Sequence, residues 1–193
     1  MNNKIAILGA GGHGKVVGEI AYLNKFEVID FYDDIKFSTK ENFPFQILGT
    51  SKDFKNNLKK YDACFLAIGN NKIRYEKNIW LGKSNQKLVN LFHPNSFISK
   101  NTIIGKGNCV MANAVINIGS SIGNGVIINS SASIDHDCIV QDFAHVSPNC
   151  SLSGNVNVGK FTHVGTGSSV HPGIKIGNNV KIGVGSRIYK NIL

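Results

Sequence analysis

An aliphatic residue recurs at every sixth position along the second half of the chain, and the pattern does not break. A period of six matches neither the 3.6-residue repeat of an α-helix nor the two-residue repeat of a strand. It is typical of a parallel β-helix, in which each six-residue step forms one side of a prism. Three steps complete a coil, so residues eighteen apart should stack at about 4.8 Å. The positions are Ile98, Ile104, Val110, Ile116, Ile122, Ile128, Ile134, Val140, Val146, Leu152, Val158, Val164, Val170, Ile176, Ile182 and Ile188.

A small or β-branched residue stands four positions after most of these aliphatic residues, from Ala114 to Val180. Small side chains suit corners that leave little interior volume. Glycine often follows the aliphatic residue directly, as at Gly159 and Gly165, and we expect those corners to need backbone angles that a Cβ disfavours. The repeat therefore predicts a β-helix over residues 94–193, with Pro94 at its boundary.

The first part of the chain alternates instead between strand and helix patterns. Strands are predicted at residues 4–8, 26–32, 46–48, 62–68 and 87–92. Helices are predicted at residues 16–23, 51–60 and 74–81, the second capped by Ser51. Strands that alternate with helices indicate a small parallel sheet, so residues 1–93 are predicted to form an α/β, Rossmann-like domain.

A glycine loop, Gly9-Ala-Gly-Gly-His-Gly14, fits G-x-G-x-x-G between the first strand and the first helix. Backbone N–H groups at a helix start hold phosphate, and an acidic residue after the second strand, here Asp33 or Asp34, holds a ribose hydroxyl. We therefore expect this domain to bind a nucleotide diphosphate. The loop does not decide between NAD and a nucleotide-sugar, although the short domain favours one nucleotide. The alternative is a tight structural turn without a ligand. The expected loop contacts are Gly11, Gly12, His13 and Gly14.

Composition narrows the class of protein further. No apolar run is long enough to span a membrane, and no signal peptide pattern precedes the first strand, so a cytoplasmic protein is expected. The four cysteines lack zinc-like spacing and are expected to be small buried residues. The net charge of +9 suits either solubility or an anionic substrate. Nucleic-acid binding is disfavoured because the lysines are dispersed and no recognition motif accompanies them.

The chain resembles, from residue 4 to about residue 190, the bacterial sugar-nucleotide acetyltransferases typified by PglD. This group includes the sialic acid O-acetyltransferases of the NeuD type and perosamine N-acetyltransferases. The matching motifs are Gly9–Gly14, Asp33-Asp34, Ala67-Ile-Gly-Asn-Asn71, Ile128-Asn-Ser-Ser-Ala-Ser-Ile-Asp-His-Asp137 and Phe143-Ala-His-Val-Ser147.

The resemblance implies a nucleotide-sugar, such as a UDP-sugar, in the first domain. It also implies a left-handed β-helix that binds acetyl-CoA between the subunits of a homotrimer, with no metal. One histidine of this segment would be the general base.

His136 is the candidate base. It follows the inward Ile134 by two positions, so it should face outward between Asp135 and Asp137. A carboxylate on one ring nitrogen fixes the tautomer and stabilises the imidazolium that forms when the other nitrogen takes a proton. The family often has Glu where this chain has Asp137. The reaction expected is direct acetyl transfer to a sugar amine, without a covalent intermediate.

Other residues are candidates with open alternatives. His145 could bind the acetyl carbonyl or the substrate, and Asn129 could hold His136 or the ligand; either could instead be structural. The resemblance implies backbone N–H contacts to acetyl-CoA near Gly154 and Thr166. His163 should stack on His145, and without a third ligand a surface stack is preferred to a metal site. Candidates for phosphate or base contacts are Lys15, Asn70 and Arg74.

The preferred function is N-acetylation of a nucleotide-linked 4-amino-4,6-dideoxy sugar. The rivals are O-acetylation of a sugar such as sialic acid, and a nucleotide-binding trimeric scaffold without activity. An NAD enzyme ranks last because it does not explain the prism.

Overall fold

The computed structural model describes residues 3–35 and 44–193. The chain divides into two compact units between Leu91 and Phe92. Among the described residues, no helix combines the length and the apolar character that a membrane crossing would need.

The first unit is built on a four-stranded parallel sheet with strand order β3-β2-β1-β4. Strand β1 is central and almost wholly buried, which suits its continuous apolar run. The strands are β1 (Lys4–Leu8), β2 (Val28–Tyr32), β3 (Ile47–Gly49) and β4 (Ala63–Leu66). The helices are α1 (Gly12–Leu23), α2 (Ser51–Asn57) and α3 (Asn71–Leu81), with 3₁₀ turns at Leu58–Lys60 and Gly82–Lys87. The α/β fold is therefore confirmed.

The expected cap of the second helix is wrong by one residue. Thr50, not Ser51, precedes the helix. Its hydroxyl accepts the Asp53 N–H, while the Asp53 carboxylate accepts the Thr50 N–H at 2.9 Å. Such a reciprocal pair satisfies two backbone donors at once, and Ser51 at the first helical position could not form it.

The expected fifth strand of this sheet, over residues 87–92, is also wrong. Lys87 ends a 3₁₀ turn, and Leu88 makes only an isolated bridge to Cys64. The strand that does form, Leu91–Phe92, belongs to a sheet of the prism.

The prism is made of two-residue strands that stack as three parallel sheets, here called faces 1, 2 and 3. Face 1 contains β5 (Leu91–Phe92), β8 (Cys109–Val110), β11 (Ile127–Ile128), β14 (His145–Val146), β17 (His163–Val164) and β20 (Lys181–Ile182). Face 2 contains β6 (Phe97–Ile98), β9 (Val115–Ile116), β12 (Ser133–Ile134), β15 (Ser151–Leu152), β18 (Ser169–Val170) and β21 (Arg187–Ile188). Face 3 contains β7 (Ile103–Ile104), β10 (Ser121–Ile122), β13 (Ile139–Val140), β16 (Asn157–Val158) and β19 (Lys175–Ile176).

The prism core confirms the six-residue period. Every aliphatic position from Val110 to Ile182 is buried, and the terminal ones pack against the same cluster. The small positions from Ala114 to Ile174 are buried as well. Paired residues are eighteen apart, as in Ile127 with His145. All four cysteines are buried thiols, as expected.

The corner glycines serve a different purpose from the one expected. Those that follow the aliphatic positions do not have positive φ angles. A Cβ at Gly159 would instead lie 2.4 Å from the backbone of Gly177, and a Cβ at Gly165 would lie 2.6 Å from the Ile182 carbonyl oxygen. These glycines therefore allow close approach between coils. Positive φ angles fall at other turn positions, several of them asparagines such as Asn155, which tolerate that region.

Candidate active site

His136 lies in the turn between β12 of face 2 and β13 of face 3, and its side chain is 50% exposed. Its Nδ1 is 2.8 Å from the Asp137 Oδ2. A carboxylate oxygen accepts, so this bond places a ring proton on Nδ1 and leaves Nε2 as the nitrogen that can take another. The bond to Asp137, followed by the charge of Asp135, raises the pKa of His136. The outward orientation predicted from the sequence is confirmed.

Asp135 supports the same turn from the other side. Its Oδ1 accepts the backbone N–H of His136 at 2.8 Å and the side-chain amide of Asn117 at 3.0 Å. These two bonds lower the pKa of Asp135, and the bond from the His136 N–H has the larger effect. The Asp135 carboxylate therefore stays charged near neutral pH. Two fixed carboxylates therefore flank one imidazole, which favours the protonated ring during proton transfer.

Two glycines from neighbouring coils make room for the pair. A Cβ at Gly154 would lie 2.5 Å from both Cε1 and Nε2 of His136. A Cβ at Gly119, which has a φ of 76°, would lie 2.2 Å from the Asp137 Oδ1. The imidazole thus lies against the Gly154 backbone, and the carboxylate occupies the space above Gly119. Gly154, expected only as a backbone contact to the cofactor, is therefore brought next to the candidate base.

Asn129 and His145 form a second pair, around face 1. The Asn129 Oδ1 accepts the Ser130 N–H at 2.8 Å, which turns its Nδ2 toward the His145 Nε2 at 3.1 Å. An amide nitrogen only donates, so the His145 Nε2 accepts and the proton of the neutral ring sits on Nδ1. His145 therefore has the same Nδ1–H tautomer as His136, but its Nε2 is already engaged by a hydrogen bond.

The two pairs lie apart within one chain. His145 is the outward residue of a face 1 strand, whereas His136 occupies the corner where faces 2 and 3 meet. That corner of a triangular prism is opposite face 1. The structure therefore does not bring Asn129 to His136, one of the two roles considered for it.

The glycine loop of the first unit has one packed side and one open side. A Cβ at Gly9 would lie 2.5 Å from the Ala67 carbonyl oxygen, and one at Gly14 would lie 2.2 Å from the Gly9 oxygen. Gly11 and Gly12 have no such neighbour within 4 Å, so the loop is open where a phosphate would approach.

The two acidic residues after β2 make bonds at this edge of the sheet. The Asp33 carboxylate accepts the Ala10 N–H at 2.7 Å, which ties it to the glycine loop. The Asp34 Oδ1 accepts the Ser51 N–H at 2.7 Å, and its Oδ2 is 3.4 Å from the Lys77 Nζ. Partial burial opposes ionisation of Asp34, but these bonds outweigh it and lower its pKa.

His13 and Arg74 form the inner part of the loop region. Burial, and then the Arg74 charge, lower the pKa of His13 to about 4, so this ring is neutral at physiological pH. Arg74 is 1% exposed, and its guanidinium donates to the Ile68 carbonyl at 2.7 Å and the Asn71 side chain at 2.8 Å. The structure thus uses Arg74 to shape the loop before α3.

The remaining candidates lie on the surface. Asn70 caps α3, its Oδ1 accepting the N–H groups of Lys72 and Ile73. Lys15 is exposed on α1, and Thr166 is exposed at a prism turn. No group of three or more His, Cys, Asp or Glu side chains that could hold a metal ion occurs in residues 3–35 and 44–193.

Sequence reasoning missed Asn117, Ser147 and Gly119, although the eighteen-residue coil could have indicated two of them. Asn117 and Gly119 lie eighteen residues before Asp135 and Asp137. The Ser147 hydroxyl bonds the His163 Nε2 at 2.8 Å, a contact sixteen residues long that the coil period does not indicate.

A hexapeptide prism with an exposed imidazole–carboxylate pair, following a glycine-loop α/β unit, defines a hexapeptide-repeat acyltransferase. Comparison with known proteins agrees. The PglD N-terminal domain family matches residues 4–78. The UDP-N-acetylbacillosamine N-acetyltransferase of Bacillus subtilis is 38% identical over 111 residues, which cover 56% of this chain and 51% of that protein. The match thus spans about half the length of this curated relative.

Solved structures match along the whole chain. The acetyltransferase domain of PglB from Neisseria gonorrhoeae is 37% identical with a TM-score of 0.92. The match covers 100% of this chain and 94% of that one. The same domain has been solved with acetyl coenzyme A. PerB from Caulobacter crescentus, in complex with CoA and GDP-perosamine, is 30% identical with a TM-score of 0.92. The match covers 100% of this chain and 91% of that one. The chain therefore belongs to the PglD-type family of sugar-nucleotide acetyltransferases, and its prism is a left-handed β-helix.

Proposed function

We propose that the protein transfers the acetyl group of acetyl-CoA to the amine of a nucleotide-linked 4-amino-4,6-dideoxy sugar, with a UDP-sugar as the first candidate. The observation that carries the proposal is the exposed His136 imidazole, held at Nδ1 by Asp137 and resting on Gly154. The relatives support the choice of acceptor, because both the Bacillus subtilis protein and the Caulobacter crescentus protein are called N-acetyltransferases.

In the proposed reaction the sugar amine attacks the thioester carbonyl while the His136 Nε2 accepts a proton from the nitrogen. A carbon–nitrogen bond forms, the carbon–sulfur bond breaks, and the departing thiolate of CoA takes a proton back from the imidazolium. Asp137 and Asp135 stabilise the imidazolium between these two steps. A positioned base of this kind contributes about 10²- to 10⁴-fold to the rate.

The two ligands are assigned to different units. The glycine loop, through Gly11, Gly12, His13 and Gly14, is proposed to hold the nucleotide diphosphate, with Lys15 near its charge. The neutral ring of His13 can donate or accept a hydrogen bond there without carrying charge. Backbone groups near Gly154 and Thr166 are proposed to hold acetyl-CoA, and the net charge of +9 favours both anionic ligands.

The remaining residues of the proposed nucleotide site are Asp33, Asp34, Asn70 and Arg74. Asp33 and Arg74 have different roles there. The carboxylate of Asp33 already bonds the loop at Ala10, and a second lone pair can accept a ribose hydroxyl. Arg74 acts indirectly, because its guanidinium donates a hydrogen bond to the carbonyl of Ile68. Its role is to position the loop and not to touch phosphate.

We further propose a homotrimer in the cytoplasm, where acetyl-CoA and nucleotide-sugars are made. One chain keeps the His136 corner and face 1 apart. A centre that uses both His136 and the Asn129–His145 pair therefore needs two subunits. In such a trimer, face 1 of one subunit would approach the His136 corner of the next.

The test is an acetyl-transfer assay that follows CoA release with UDP- and GDP-linked 4-amino sugars, their 4-hydroxyl counterparts and sialic acid. We expect turnover with an amine acceptor. His136→Ala should lower kcat by about 10²- to 10⁴-fold, with the oligomer retained in light scattering. His171→Ala, at another exposed histidine of the prism, is the matched control and should stay near wild type.

Three results would contradict the proposal. Preference for a hydroxyl acceptor would replace N-acetylation by O-acetylation. The absence of any heat on titration with acetyl-CoA would indicate a scaffold. Near-normal activity of His136→Ala would remove that residue from the base role.

A further inference from the structure

His145 and His163 stack on the outside of face 1, one coil apart. The two residues are directly paired in register, their ring centroids are 4.6 Å apart and their planes differ by 6°. Nearly parallel rings at this separation restrict each other, because rotation of either ring about χ2 would drive its edge into its neighbour.

The side-chain bond of His145 is repeated at His163 with one change. In each case the ring Nε2 bonds a side chain sixteen residues earlier, from Asn129 at 3.1 Å and from Ser147 at 2.8 Å. Ser147 is 3% exposed, so its hydroxyl is held in a packed environment. The bond sets the rotation of the His163 ring, and the stack passes that orientation to His145.

The outward residues of face 1 that are in register with the two histidines carry no imidazole. The positions in register before and after the two histidines are Ile127 and Lys181, which cannot extend the stack. The prism core is formed by inward residues such as Val146 and Val164. Closure of the coils therefore does not require an imidazole at position 163.

We propose that His163 and Ser147 are a positioning pair that fixes the ring plane of His145, and so holds its Nε2 against the Asn129 amide. The pair acts through His145 and touches neither substrate nor cofactor. This inference rests on the proposed function, in which Asn129 and His145 contribute to the acetyl-transfer centre.

Three variants separate the stack from the hydrogen bond. Ser147→Ala removes the bond and keeps both rings. His163→Phe keeps a flat ring over His145 but loses the bond, and His163→Ala loses both. Phe161→Ala is the matched control, because Phe143 and Phe161 stack between the same two coils with centroids 5.9 Å apart and planes differing by 14°.

We expect kcat to fall by about 3- to 10-fold in Ser147→Ala and in His163→Phe, the loss that one hydrogen bond predicts. In His163→Ala the fall should be about 10- to 100-fold, as for a displaced catalytic group. Phe161→Ala should lower the melting temperature at least as much as His163→Ala and leave kcat near wild type. Equal effects of His163→Ala and Phe161→Ala on kcat would overturn the proposal, because the role of His163 would then be structural only.

A second readout does not depend on turnover. Nitrogen-15 spectra of the imidazoles distinguish the Nδ1–H from the Nε2–H tautomer, and we expect His145 to show the former in wild type and a mixture in His163→Ala. An unchanged His145 signal in His163→Ala would overturn the positioning role. Failure of the wild-type protein to acetylate any sugar would refute the proposed function instead, while the spectra would still decide whether His163 orients His145.

Discussion

The His136 corner and the His145 face use the same residue type with opposite ring nitrogens engaged. At the corner, Asp137 holds Nδ1 and Nε2 remains for proton transfer. On the face, the Asn129 amide donates to Nε2, so that nitrogen cannot act as a base while the bond persists. A carboxylate partner also stabilises the protonated ring, whereas an amide donor opposes protonation.

The chemistry of an outward histidine on this prism depends on the side chain that its ring meets as well as on its place in the coil. His136 lies at a corner and His145 on a face of coils with the same repeat, and each ring has a different partner side chain. The proposed base role therefore suits His136, and His145 is suited to orienting a group. Three experiments test this difference between the two histidines.

The largest effect is expected from Asp137→Asn. The amide that replaces the carboxylate can donate to the His136 Nδ1, which would place the ring proton on Nε2 and block it as a base. We expect kcat to fall by about 10²- to 10⁴-fold, measured by CoA release with acetyl-CoA saturating. Asp142→Asn, at a prism turn where Lys160 pairs with the carboxylate, is a control for loss of one surface charge. A loss no larger than that of the control would place the catalytic base elsewhere.

An intermediate effect is expected from Gly154→Ala. The added Cβ would lie 2.5 Å from the His136 ring, so the imidazole must move, while the Gly154 N–H is retained. A shift of about 1 Å in a catalytic group costs about 10²-fold in rate, so kcat should fall with little change in the Kd for acetyl-CoA.

Gly183→Ala provides the matched control, because a Cβ there has only one neighbour, at 3.5 Å, and φ is not positive. It should leave kcat near wild type. Normal turnover by Gly154→Ala would mean that the ring does not rest on this glycine during the reaction.

The smallest effect is expected from Asp135→Asn, which is a change of charge with little change of shape. The Asn oxygen can still accept the His136 N–H and the Asn117 amide, so the turn should be preserved. His136 has a raised pKa and must be neutral to act, so activity is lost as pH falls through that pKa. Removing the Asp135 charge lowers the pKa of His136, and the acidic limb of the kcat/KM profile should move to lower pH. An unmoved limb would show that Asp135 has no influence on the base.

Much of the prism could be predicted because its contacts follow a fixed arithmetic. Inward positions recur every six residues and neighbours every eighteen, so the stacking of His163 on His145 needed no structure. The adjacency of His136 and Asp137 was equally clear. The same arithmetic also pairs Asp135 with Asn117.

Contacts that depend on rotamers were beyond prediction. The Asn129 amide orientation is set by the Ser130 N–H, and the tautomer of His145 follows from it. In the first unit, Arg74 was a candidate for a phosphate or base contact, and its side chain is buried in the interior. No periodic rule in the α/β unit relates a residue to its spatial neighbour, so such placements emerge only from the folded chain.

The close approach of successive coils at Gly159 and Gly165 has an evolutionary consequence. Insertion or deletion of a single residue would shift every later side chain by one position along the coil. Residues with a Cβ would then stand where these glycines allow close approach to the neighbouring backbone. Insertion of eighteen residues would restore all contacts on either side. Members of this fold should therefore gain or lose whole coils of eighteen residues. A coil added between His136 and Gly154 would separate the two residues, and we expect it to abolish activity while leaving the fold intact.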